Sequence, residues 1–109
     1  MLYIFYFSKL LCEMTVDTFN KLVEENDLVM ITSPTCSNCR KAKAKLEYNQ
    51  IPYANVDIKD NPKIYAYISK ERKINYVPVL FYKQEFLDNF AKLNEKIYMQ
   101  DPANPATGG

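Results

Sequence analysis

The stretch Leu28-Val-Met-Ile-Thr32 carries no charge and no apolar/polar alternation, and two of its members are β-branched aliphatics. A short, continuous apolar run bounded by polar residues is the pattern of a strand buried on both faces. It therefore reads as a central strand, and the rest of the chain must supply the layers that cover it.

Those layers are visible on either side. Between Thr15 and Asn26, Val16, Phe19, Leu22 and Val23 recur at helical spacing, with Thr15 or Asp17 available as the N-cap. After the strand, Ser33-Pro34-Thr35 forms a turn. A helix is predicted from Cys36 to Asn49, with Cys39, Ala42 and Leu46 on one side and Arg40, Lys41, Lys45 and Glu47 on the other. Ile51-Pro52 leads into a second strand, Tyr53 to Ile58. Asp60-Asn61-Pro62 then sets a cap residue before a proline at the first helical position, which predicts a helix from Pro62 to about Arg72. This alternation implies a parallel strand pair joined by a crossover helix, and hence an α/β fold. Val79–Tyr82 and Phe86–Phe90 read as a β-hairpin around Lys83-Gln84-Glu85, although the usual turn glycine is missing. A helix from about Lys92 to Met99 closes the domain.

The domain so delimited spans residues 15–99. Residues 1–14 read either as an extension, with Met14 as the working start, or as an extra strand of β-branched and aromatic residues. Residues 100–109, with two prolines, two glycines and no large apolar side chain, are expected to be disordered. The run Leu2–Phe7 stops well short of the ~20 apolar residues of a membrane span. It also lacks the basic start and small-residue cleavage site of a signal peptide. No membrane association is expected.

Composition narrows the chemistry. The formal charge of +1 argues against a dedicated nucleic-acid binder. The complete lack of histidine removes the commonest general base and metal ligand, and with it every imidazole-based triad. Three cysteines, Cys12, Cys36 and Cys39, are too few and odd in number for a secreted disulfide framework, and a reducing cytoplasm fits better.

Chemistry is left to Cys36-Ser37-Asn38-Cys39. A thiolate rather than a thiol attacks a disulfide. Cys36 falls at the N-cap of its helix, where unpaired N–H groups and the positive end of the macrodipole stabilise an anion, and Arg40 and Lys43 follow one and two turns on. Cys39, nearly one turn later, is close enough to pair with Cys36 yet more buried, which suits a resolving thiol. Two plainer readings compete. The pair is half of a zinc site in other contexts, but here no second pair and no histidine exist to complete it. Two core-filling cysteines would leave unexplained why Cys36 lies on a turn rather than on an apolar stripe. A second landmark is Tyr76-Val77-Pro78 just before a strand, a place where proline is tolerated. Alone it reads equally as an ordinary trans proline.

From Thr15 to Met99 the order of elements, the Cys36–Cys39 motif, Val77-Pro78 and the closing hairpin plus helix resemble the thioredoxin superfamily. Within it the glutaredoxin branch looks closest, because the helix after the motif lacks a kinking proline, and Ile51-Pro52-Tyr53 and Tyr76-Val77-Pro78 resemble that branch's turns. Two features depart from it: Leu87-Asp88-Asn89-Phe90 stands where glutaredoxins usually carry Gly-Gly, and Pro34 or Thr35 where a basic residue often precedes their motif. The segment Ser33–Leu46 also resembles the start of the Spx and arsenate-reductase-like family, which implies an alternative role as a redox-sensing interaction protein switched by the cysteine pair.

The resemblance implies a thioredoxin fold, a central mixed sheet of about four strands flanked by helices, with a cis Val77–Pro78 bond set against the redox cysteines. It implies a dithiol-disulfide oxidoreductase with Cys36 and Cys39 catalytic. Pro34, Thr35, Ser37, Asn38, Tyr76, Val77 and Pro78 would contact the substrate, with the Val77 backbone free to pair with an extended segment. A disulfide-containing protein substrate, an upstream reductase or glutathione as electron source, no bound cofactor, no metal and a monomeric state are the accompanying expectations.

Overall fold

The structure, a computed structural model, describes residues 14–100. Its elements run α1 (Val16–Glu25), β1 (Leu28–Thr32), α2 (Ser37–Tyr48), β2 (Ala54–Asp57), α3 (Pro62–Arg72), β3 (Val79–Tyr82), β4 (Glu85–Leu87) and α4 (Phe90–Lys96). The sheet order is β2-β1-β3-β4. β1 and β2 are parallel with Ile31 opposite Val56, and β1 and β3 are antiparallel with Met30 opposite Leu80. This is the four-stranded mixed sheet, flanked by four helices, of a thioredoxin-like fold.

All five residues of β1 are buried, as a strand covered on both faces requires. Because strand side chains alternate, β1 divides its residues between two cores. Val29 and Ile31 join Phe19 of α1, Ile64 and Ile68 of α3, and Phe81 on one side. Leu28 and Met30 join Ala42 and Leu46 of α2, Leu80, and Leu93 of α4 on the other. Phe19 meets Phe81 edge-on at 5.7 Å between ring centroids, the arrangement the ring quadrupoles favour.

The helix starts follow local chemistry. Thr15 caps α1 by accepting the Thr18 N–H at 3.1 Å. Asn61 stands at the cap of α3 but makes no side-chain cap bond. Its amide oxygen instead takes the Met14 N–H at 2.9 Å, and its amide nitrogen donates to the Asp57 carbonyl at 3.2 Å. Pro62, at the first helical position, has no N–H to leave unsatisfied.

The hairpin corrects the sequence reading. Its turn is only Lys83-Gln84, both with positive φ (49° and 70°), so non-glycine residues occupy left-handed positions and Glu85 belongs to β4. β4 ends at Leu87 rather than Phe90, because Asn89 caps α4 by accepting the Lys92 N–H at 3.1 Å. The closing helix therefore starts two residues earlier than Lys92 and ends at Lys96 rather than Met99. The second strand is likewise shorter than Tyr53–Ile58. Residues 1–13 and 101–109 lie outside the described residues, so the expected N-terminal strand or extension, the disordered tail and the surroundings of Cys12 do too. Of the tail, Gln100 is described, and it exchanges two hydrogen bonds with the Asn49 side chain at 2.8 and 2.9 Å.

Candidate active site at the Cys36–Cys39 helix end

β1 ends at Thr32, whose buried hydroxyl donates to Asn55 of β2 at 2.7 Å. The chain then turns through Ser33-Pro34-Thr35. The Ser33 hydroxyl oxygen accepts the Thr35 N–H at 3.3 Å, and the Ser33 carbonyl accepts the Cys36 N–H at 3.2 Å. This delivers Cys36 to the N-cap of α2, as the sequence suggested.

Serine, threonine, asparagine and aspartate ordinarily fill that position, using a side-chain oxygen. Here the Cys36 sulfur does the work, accepting the Cys39 N–H at 3.0 Å. A sulfur carrying negative charge is the better acceptor for that N–H and faces the positive end of α2. Arg40, expected to add positive charge at the thiol, is turned back to the loop, where its guanidinium donates to the Pro34 carbonyl at 3.3 Å. Pro34, Thr35 and Ser37 flank Cys36 as exposed residues.

Both cysteines are free thiols, Cys36 half-buried and Cys39 fully buried. Burial pushes the Cys39 thiol up from its ordinary 9.0 to about 11, and its hydrogen bond with Cys36 adds to this. The Ser33 backbone and the Lys43 charge pull the other way without reversing it. Cys39 thus holds its proton at neutral pH. Among the described residues no group of three or more Cys, Asp or Glu side chains is placed to hold a metal ion, and no helix is long and apolar enough to cross a membrane.

Val77–Pro78 is a cis peptide bond. The Val77 carbonyl lies 3.9 Å from the Cys36 sulfur, close enough to accept its S–H. Two segments 41 residues apart in sequence are thereby brought together at one end of the sheet. Beside them opens a groove of about 650 Å³. Of the residues singled out by sequence, Asn38, Tyr76, Val77 and Pro78 line it, whereas Cys36, Cys39, Pro34, Thr35 and Ser37 do not. It is also lined by residues the sequence reading gave no substrate contact: Lys41 and Lys45 of α2, and Asp88, Asn89 and Phe90. The Lys45 ammonium sits 5.9 Å from the centre of the Phe90 ring, within cation–π range. Reading Asn89 as a helix cap would have turned this segment out of the strand and into the groove wall.

A family model described as Glutaredoxin matches residues 28–87, from β1 through β4. No curated protein sequence matches the chain at a significant level. Among solved structures, a buckwheat glutaredoxin in complex with glutathione superposes with a TM-score of 0.64 at 20% identity, over 73% of this chain and 76% of that one. A monomeric truncated mutant of 1-C-Grx1 from Trypanosoma brucei gives 0.63 at 17% identity, over 84% of this chain and 98% of that one. The dithiolic glutaredoxin 2-C-Grx1 from Trypanosoma brucei brucei gives 0.60 at 17% identity, over 70% and 84%. At these identities the three speak for the fold.

Proposed function

The chain belongs to the glutaredoxin family, whose model covers more than half of it, and from that premise we propose that it is a dithiol-disulfide oxidoreductase acting on protein or small-molecule disulfides. The observation that carries the reading is the Cys36 sulfur, which caps α2 at 3.0 Å from the Cys39 N–H while meeting the Val77 carbonyl beside an open groove.

In the proposed cycle the Cys36 thiolate attacks one sulfur of a substrate disulfide. A Cys36–substrate bond forms and the other substrate sulfur leaves as a thiolate. Cys39 then gives up its proton and attacks the Cys36 sulfur. The intramolecular disulfide forms, and the second substrate thiolate departs carrying that proton. The two electrons so delivered are restored by two thiols. Glutathione fits that role, since the family and a neighbour solved with glutathione both support it, and an upstream protein reductase is the other source. Enzyme and substrate meet in this reading as a monomer and a disulfide-bearing chain in the cytoplasm, where thiols are kept reduced.

The test compares turnover of a mixed disulfide between glutathione and a model peptide. Cys36→Ser is expected to fall to the uncatalysed background, and Cys39→Ser to accumulate a covalent adduct visible by mass spectrometry. Retained turnover in the first variant, or no adduct in the second, would refute these roles.

A further inference from the structure

The loop that faces Cys36 is not self-supporting. It is stitched to one face of α3 by two hydroxyls one helical turn apart. Ser69 donates to the Ile74 carbonyl, and Tyr65 donates to the Tyr76 carbonyl at 3.0 Å. Tyr65 is half-buried, and burial holds its hydroxyl above the ordinary 10.0, so it remains a donor at physiological pH.

The Tyr76–Val77 peptide is trans and planar, so its C=O and N–H point in opposite directions. Tying the carbonyl to α3 therefore aims the Val77 N–H away from α3. Among the described residues that N–H has no acceptor, and Val77 lines the groove. We propose that Tyr65 is a positioning residue for the reaction: its hold on the Tyr76 carbonyl presents the Val77 N–H to a backbone carbonyl of an amide-containing disulfide substrate. The inference rests on reading the groove as the disulfide site, and deepens it by assigning to Tyr65 the hold that orients the backbone of this loop.

The experiment uses Tyr65→Phe, which removes one oxygen and keeps the ring. Reduced protein is mixed in single turnover with either a glutathionylated peptide or 2-hydroxyethyl disulfide, which has no amide. For the peptide the half-saturating concentration should rise about tenfold, the equivalent of about 1.4 kcal/mol, with the limiting rate constant changed less than about twofold. For 2-hydroxyethyl disulfide neither should move. An equal loss on both disulfides, or no loss on either, overturns the proposal. A wild-type protein that reacts with neither disulfide overturns the oxidoreductase reading itself, and the role of Tyr65 with it. A second measurement needs no change at Tyr65. In the peptide adduct of Cys39→Ser, exchange of the Val77 amide proton should slow relative to the 2-hydroxyethyl adduct, and equal exchange in the two overturns the proposal.

Discussion

The two halves of the site are built in opposite ways. The Cys36 half is held by neighbours in sequence: past the end of β1, the hydrogen bonds that shape it before the loop arrives join residues no more than six positions apart, among them Ser33 to Thr35, Ser33 to Cys36, Cys36 to Cys39, Cys36 to Arg40 and Pro34 to Arg40. The Tyr76–Pro78 half borrows its shape from α3 and reaches Cys36 across 41 residues. A thiol can thus be prepared by a turn and a helix start, but its partner backbone has to be brought in by the sheet.

The largest test of this contrast is Ile68→Ala. Ile64 and Ile68 seat α3 on the sheet, 1% and 5% exposed. Removing the Ile68 side chain should cost about 2–5 kcal/mol of stability in urea unfolding. Amide exchange should then accelerate more at Ile74, whose N–H donates to the Ser69 carbonyl of α3 at the start of the loop, than at Cys39. Equal acceleration at both sites would break the distinction between a borrowed half and a local one.

Cys39 lies between the two, local in its N–H bond to Cys36 and tertiary in its burial. Once Cys36 is capped by substrate, the hydrogen bond and charge that it contributed are gone and burial remains, so the release step should quicken about tenfold per pH unit from neutral pH until Cys39 ionises between 9 and about 11. Stopped-flow traces of the second thiol released would show it, and a release rate flat from pH 7 to 9 would contradict it. Stability runs the other way. The folded state holds the Cys39 proton more tightly than the unfolded chain, so the contribution of this group to stability is constant below pH 9 and falls between 9 and 11. Tyr53, raised by burial and its bond to Glu47 to about 12, adds a fall between 10 and 12.

The smallest effect belongs to Lys96→Ala, which removes the 3.2 Å ion pair between α4 and Glu85 of β4 behind the groove wall. Both side chains are open to solvent, so less than about 0.5 kcal/mol is expected in thermal unfolding. A larger loss would mean that the groove wall depends on this pair rather than on buried Leu87 and Leu93.

Much of this was legible in the chain. Leu28–Thr32 announced a doubly covered strand, Pro62 a helix start, and the Cys36–Cys39 spacing a helix end with two thiols. The resemblance to the Spx family rested on residues 33–46, whereas the Glutaredoxin match continues through β4, which a local likeness at the motif does not reach. Boundaries failed where backbone and capping choices were not written in glycine: the Lys83-Gln84 turn uses left-handed non-glycine residues, and Asn89 caps α4 where an apolar run seemed to continue. That misreading hid Asp88, Asn89 and Phe90 from the list of groove residues.

The sequence by itself determined the two-sided strand, the order of strands and helices, and a thiol at a helix N-terminus, because periodicity and capping depend only on spacing along the chain. Only the tertiary structure decided that Val77 turns its carbonyl to Cys36, that Tyr65 fixes the peptide before it, and that burial keeps Cys39 protonated. Those depend on the strand order that places β3 beside β1 and on water being excluded between layers, and neither is a property of any short segment.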